Sequence, residues 1–299
     1  MKKIINLKHS MKKDISLFLF IIYILHLIFM IFVNNKISII DSQIFKYVYM
    51  FRIHRWILSF PIIYYFVKNI KNYEYFKTSN KLDIKNFIIY FAIFFLGIHI
   101  LNILNIFTIT LSNLKEKQST IQGFLYVDTL WTVFISPVLE EIVFRGVIMN
   151  NLKKYGIKIA IIVNSIFFAF SHYDIEKIMP VLFMGIILSH ITYKYSLKYS
   201  IIFHFFMNLL GIIPVIIFTL KIQKYLYIYS LIFIVLVVFL FIIFIRNVKR
   251  EKYEEIFSIF KLNNEDRKNI AEFVKNNGLY LFVILVIVIS NLLFNYKLF

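Results

Sequence analysis

The chain has 299 residues, 60% of them hydrophobic and 19% aromatic, with a formal net charge of +18. A mean hydropathy of +0.77 and repeated apolar runs of about 20 residues make it a polytopic membrane protein, not a soluble domain. Its basic residues sit in short clusters between those runs, where they set orientation and do not form a nucleic-acid footprint. The absence of cysteine excludes disulfides, thiolate catalysis and Cys-ligated zinc.

Runs long enough to cross a bilayer are predicted at 15–33, 44–67, 84–107, 121–149, 157–172, 178–195, 199–220, 225–245 and 278–295, which gives an all-α bundle of about nine transmembrane helices. The first keeps its apolar run without a small-x-small cleavage site, so it is expected to stay as an anchor. The second is the weakest, because Arg52, His54 and Arg55 interrupt it and Pro61 follows. With nine crossings and a cytoplasmic N-terminus, the inner segments hold 23 of the 34 Lys and Arg residues against 8 in the outer loops, and this asymmetry argues for keeping the second span. Abundant Ile, Lys, Asn and Phe at the expense of Ala and Gly fit an AT-rich bacterial genome, and hence a bacterial cell membrane.

The chain divides into N-terminal helices (1–120), a core (121–220) that holds the intramembrane polar residues, and C-terminal helices (221–299). The last part includes a charged segment, 246–277, that reads as a solvated cytoplasmic linker of mixed charge. Within the fourth run, Trp131 to Met149, stand Glu140, Glu141 and Arg145. Ionised groups inside a bilayer are costly and need partners or a purpose. Residues four apart share a helical face, so Glu141 and Arg145 pair, while Glu140, rotated by about 100°, is left without a local cation. A Glu–Arg pair that merely glues helices is the structural alternative, and it leaves Glu140 idle. Pro137, just upstream, removes one backbone donor, and Gly146 permits close approach of a neighbouring helix.

The fifth run ends with Phe168 and His172. If the fourth and fifth runs form a hairpin turning near Gly156, Glu140 and His172 are each 16 residues from the turn and lie at one depth. His204 and Asn208 are one turn apart in the seventh run and form a donor pair suited to a carbonyl oxygen that becomes an oxyanion. An interhelical clamp is the alternative there. His26, His99 and His190 lack a carboxylate at helical spacing and read as packing or interfacial residues. Asp128 reads as an end-of-helix residue, and Asn164 as a bond between helices.

The ordered set Glu140-Glu141-x-x-x-Arg145, Phe168-x-x-x-His172 and His204-x-x-x-Asn208 resembles the CPBP family of intramembrane proteases. That family includes CAAX prenyl endopeptidases and proteins linked to bacteriocin self-immunity. The resemblance covers roughly 121–220. It implies an endopeptidase acting on a hydrophobic peptide or membrane-protein substrate in contact with membrane lipid. Glu140 matches the catalytic base, His172 its partner on water, and His204 with Asn208 the groups holding the scissile carbonyl, with Glu141 and Arg145 in support. The family's small-residue pattern is met by Gly185 and Ser189 but departs at His190. A metal-free, glutamate-type mechanism with no cofactor is favoured, since Asn208 is a poor zinc ligand and the H-E-x-x-H arrangement is absent. Zinc held by Glu140, His172 and His204 is the alternative. A catalytically silent membrane immunity or regulatory protein is the competing functional class.

Overall fold

The computed structural model describes residues 80–109, 129–172, 177–220, 224–248 and 258–276 continuously, with isolated helical positions elsewhere. Every regular element among the described residues is helical. That is what a bilayer demands, since a helix satisfies its backbone polar groups within one segment. The helices are α1 (Ile84–Ile109), a composite α2 over 131–155, α3 (Ile157–Phe170), α4 (Ile178–Lys194), α5 (Leu197–Thr219), α6 (Lys224–Val248) and α7 (Asn264–Asn276). α1 to α6 match the predicted third to eighth runs, and α7 lies in the charged segment 246–277. The predicted runs 15–33, 44–67 and 278–295, with Asp128 and His26, lie outside the continuously described residues.

Three described helices, α1, α5 and α6, contain stretches long and apolar enough for a full span, namely Ile84–Leu101, Leu197–Pro214 and Lys224–Arg246. The expected nine crossings are therefore represented here by a smaller set of full-length spans. At 14 residues, α3 reaches only about 21 Å, less than the roughly 30 Å hydrocarbon layer. It is wrapped by protein: Ile159, Ile161, Val163, Phe167 and Phe168 are all buried. Lipid contact falls instead on α6, whose Leu231, Ile234, Val235 and Phe239 are exposed.

α2 and α3 form the predicted hairpin. Its turn is Gly156, whose φ of 99° is the left-handed conformation that a side chain disfavours. α3 then runs against α4, and α4 in turn receives α1 and α5. α3 and α4 come close at Gly185, where an added Cβ would lie 2.9 Å from Ser165 Cβ and 3.0 Å from its Cα. Asn164 donates to Ser189 Oγ at 3.0 Å along the same seam, the interhelical bond that its position suggested. Because the obstruction at Gly185 includes backbone, Gly185→Val is expected to lower the unfolding midpoint in detergent, through an overpacking cost of about 1–3 kcal/mol. An unchanged midpoint would show that the seam has slack.

The charged segment is not merely a solvated connector. α7 presents Asp266, Asn269, Ile270 and Phe273 on one face, the i, i+3, i+4, i+7 spacing of a helix that docks. Phe273 is buried and meets the Tyr155 ring edge-on at 5.1 Å. Lys158 Nζ donates to Asp266 Oδ2 at 2.6 Å and to the Lys261 carbonyl at 2.7 Å. Asp266 also closes the helix start reciprocally: Asn263 N–H donates to its carboxylate, and its own N–H donates to Asn263 Oδ1. The hydrogen bond from Lys158, followed by that from Asn263, holds the Asp266 carboxyl below the usual carboxylate range. A depressed folded pKa contributes above the unfolded value of about 3.9 and is lost as pH falls through the lower folded value. Hydrogen exchange in 264–276 is therefore expected to be slow at neutral pH and to accelerate below about pH 4. Asp266→Asn is expected to show faster exchange already at neutral pH. Equal protection of variant and wild type would mean that Phe273 alone holds the helix.

Candidate active site

α2 is not uniformly wound. It is π-helical over Trp131–Ile135, α-helical over Ser136–Glu141 and π-helical again over Ile142–Met149. Such π segments are rare and concentrate at functional sites. The Ser136 N–H donates to Trp131 O, five residues back. In that register the next donor would serve Thr132 O, but residue 137 is proline and has no N–H. Asn208 on α5 supplies the missing donor, its Nδ2 lying 2.8 Å from Thr132 O. One amide hydrogen of Asn208 is thus spent on anchoring its own side chain. The second points the group's remaining capacity elsewhere.

The ion pair expected at i, i+4 is present. Arg145 Nη1 lies 2.8 Å from Glu141 Oε1, and both side chains are fully buried. Arg145 Nη2 donates to the Gly185 carbonyl at 3.3 Å, and its guanidinium sits 4.2 Å from the centroid of the Phe168 ring. Gly185 thus has two jobs: lacking a Cβ, it lets α3 approach, and its carbonyl accepts from the arginine.

Glu140 is not the isolated carboxylate that helical spacing alone suggests. His204 Nδ1 is 2.9 Å from Glu141 Oε1, and His204 Nε2 is 3.7 Å from Glu140 Oε2. An imidazole with nitrogens on opposite edges bridges the angle between adjacent carboxylates. Ser136 Oγ donates to Glu140 Oε1 at 2.6 Å. Glu140 is also the accessible member of the cluster, its side chain 19% exposed against 0% for Glu141 and 3% for His204.

His172 follows the end of α3. Its Nδ1 is 2.8 Å from the Phe168 carbonyl, and a carbonyl can only accept, so Nδ1 carries the proton and the lone pair is on Nε2. The Phe168 ring is the hub that gathers the three motifs: it lies edge-on to His172 at 4.9 Å and to His204 at 5.8 Å, beneath Arg145 and against Phe144. His190 and His99 are engaged elsewhere. His190 shares a hydrogen bond with Tyr90 Oη at 3.2 Å, and His99 packs between Phe95 and Phe233. Among the described residues, no three His, Asp or Glu side chains are grouped to hold a metal ion.

Comparison with family models matches residues 122–210 to the type II CAAX prenyl endopeptidase Rce1-like family. Residues 122–210 are thus similar to that family. The match spans α2, α3, α4 and the first half of α5, the elements that carry Glu140, Glu141, Arg145, His172, His204 and Asn208, and leaves out α1, α6 and α7. It agrees with the family that the three motifs suggested, and that family is one of proteases. No curated protein and no solved structure matches the chain. With its apolar helices, the chain is an integral membrane protein.

Three contributors to the candidate site escaped the sequence reading: Ser136, the Thr132 carbonyl and the Gly185 carbonyl. Ser136 had a signal, since it stands four residues before Glu140. The two carbonyls had none in side-chain identity.

Proposed function

We propose that the protein is an intramembrane endopeptidase that hydrolyses a peptide bond in a hydrophobic, membrane-associated substrate. The observation that carries this reading is the Glu140–His204–Glu141–Arg145 chain, which couples an accessible carboxylate to a buried charge network. With His204 protonated, the four groups sum to zero charge. With the proton moved to Glu140, they still sum to zero. A low-dielectric site tolerates both arrangements, because neither carries net charge.

The first arrangement provides a base and an electrophile together. Glu140 as carboxylate accepts a proton from water, and His172 orients that water through Nε2. The His204 Nε2–H and the remaining Asn208 N–H donate to the carbonyl oxygen as it becomes negative. The proton on Glu140 then passes to the leaving amine. At 3.7 Å, His204 Nε2 is beyond hydrogen-bond length from Glu140, which leaves it able to serve the oxyanion. The metal-free mechanism and a cytoplasmic N-terminus form part of this reading.

The test is hydrolysis in proteoliposomes of a farnesylated C-a-a-X peptide, and of the same peptide without lipid, with products read by mass spectrometry. Cleavage that survives dialysis against a chelator is expected; abolition restored by zinc would replace the mechanism with a metal-dependent one. If neither peptide is cleaved and a Glu140→Gln chain captures no membrane protein from its cells, the enzymatic reading is wrong.

A further inference from the structure

We propose that Ser136 is a positioning residue for Glu140, and that Asn208 enforces this role from the neighbouring helix. The proposal rests on Glu140 being the base.

A serine inside a helix commonly turns its hydroxyl back to the carbonyl three or four residues earlier. The chain follows that habit elsewhere: Ser165 donates to Ile161 O, Thr192 to Leu188 O, Ser200 to Leu197 O and Ser230 to Leu226 O. Ser136 departs from it, donating forward to Glu140 Oε1 at 2.6 Å. The reason lies one turn back. Its i−4 carbonyl is Thr132 O, which Pro137 leaves without a π-register donor and which Asn208 Nδ2 engages at 2.8 Å. A hydroxyl has one proton to give, and with Thr132 O engaged it goes to the carboxylate.

The consequence is directional. Ser136 holds Oε1, so Oε2 is the oxygen turned toward His204 Nε2. Fixing one oxygen by a short hydrogen bond to the ionised form removes carboxylate rotation from the reacting geometry. Asn208 therefore has two tasks: it offers a hydrogen to the carbonyl of the substrate, and it keeps Ser136 aimed at the base. Motifs 68 residues apart in sequence act on one carboxylate.

The experiment compares Ser136→Ala, Ser136→Thr and Asn208→Ala with wild type on the farnesylated peptide. In parallel, infrared difference spectroscopy follows the carboxylate band that Glu140→Gln removes. Ser136→Ala is expected to lower kcat about tenfold with KM unchanged, and Ser136→Thr to recover kcat to within about threefold. The Glu140 band is expected to shift in Ser136→Ala and also in Asn208→Ala, although the observed Asn208 bond goes to Thr132. Wild-type kcat and an unshifted band in Ser136→Ala would overturn the proposal. So would a rise in KM at constant kcat. A fully active Glu140→Gln would instead defeat the assignment of Glu140 as the base, and the band would still report whether Ser136 holds the carboxylate.

Discussion

Glu140→Gln is expected to lower the hydrolysis rate by about 10²–10⁴-fold, the range a positioned general base contributes, without moving the unfolding midpoint appreciably. The substitution keeps side-chain volume, and its amide oxygen still accepts from Ser136 Oγ, so the local packing survives. What disappears is the capacity to take a proton from water. Glu141→Gln makes the informative contrast. Glu141 Oε1 accepts from both Arg145 and His204 and is fully buried, so its loss is expected to appear first as instability. Initial rates on the farnesylated peptide, normalised to folded protein, separate the two outcomes. A folded Glu140→Gln chain with the wild-type rate would remove Glu140 from the role of base, whereas an unaltered cellular phenotype with no cleavage in either chain would point to the silent immunity or regulatory class.

The parts of this site that could be read from sequence were those set by helical periodicity within one segment. Glu141 and Arg145 are four apart, and they pair. Gly156 turns the hairpin because no other residue type accepts that φ so readily. The contacts between segments were less visible, because sequence spacing says nothing about how far one helix is rotated against another. His204 was read as a partner of Asn208 toward substrate, and the fold adds that its Nδ1 is engaged by Glu141. That bond spans 63 residues and depends on how α5 lies against α2. The winding of α2 was hidden too. Helical spacing leaves Glu140 without a cation on its own helix, whereas the fold places His204 Nε2, from α5, 3.7 Å from its Oε2. The docking of α7 was legible in its apolar spacing but masked by the composition of 246–277, where abundant charge suggested solvation.

Arg145→Met is expected to be the most destabilising single change in the core, costing about 3–5 kcal/mol, because it leaves Glu141 buried without its cation. The arginine is fully buried and engaged on three sides, by Glu141, the Gly185 carbonyl and the Phe168 ring. Arg145→Lys should fare little better, since an ammonium cannot serve a carboxylate and a carbonyl in two directions from one planar fork while lying on a ring. The decisive comparison is Glu141→Gln with Arg145→Met, which removes both charges. If the cost of the single change comes from an uncompensated carboxylate, the double variant will unfold at a higher midpoint than Arg145→Met alone. Additive losses would show that packing of the guanidinium on Phe168, not charge balance, dominates. Activity discriminates further. In Arg145→Met, His204 is the side-chain partner left at Glu141 Oε1 among the described residues and is drawn toward it, away from the Glu140 line. Even the fraction that folds should therefore cleave slowly, whereas wild-type kcat in that fraction would uncouple the buried pair from the chemistry.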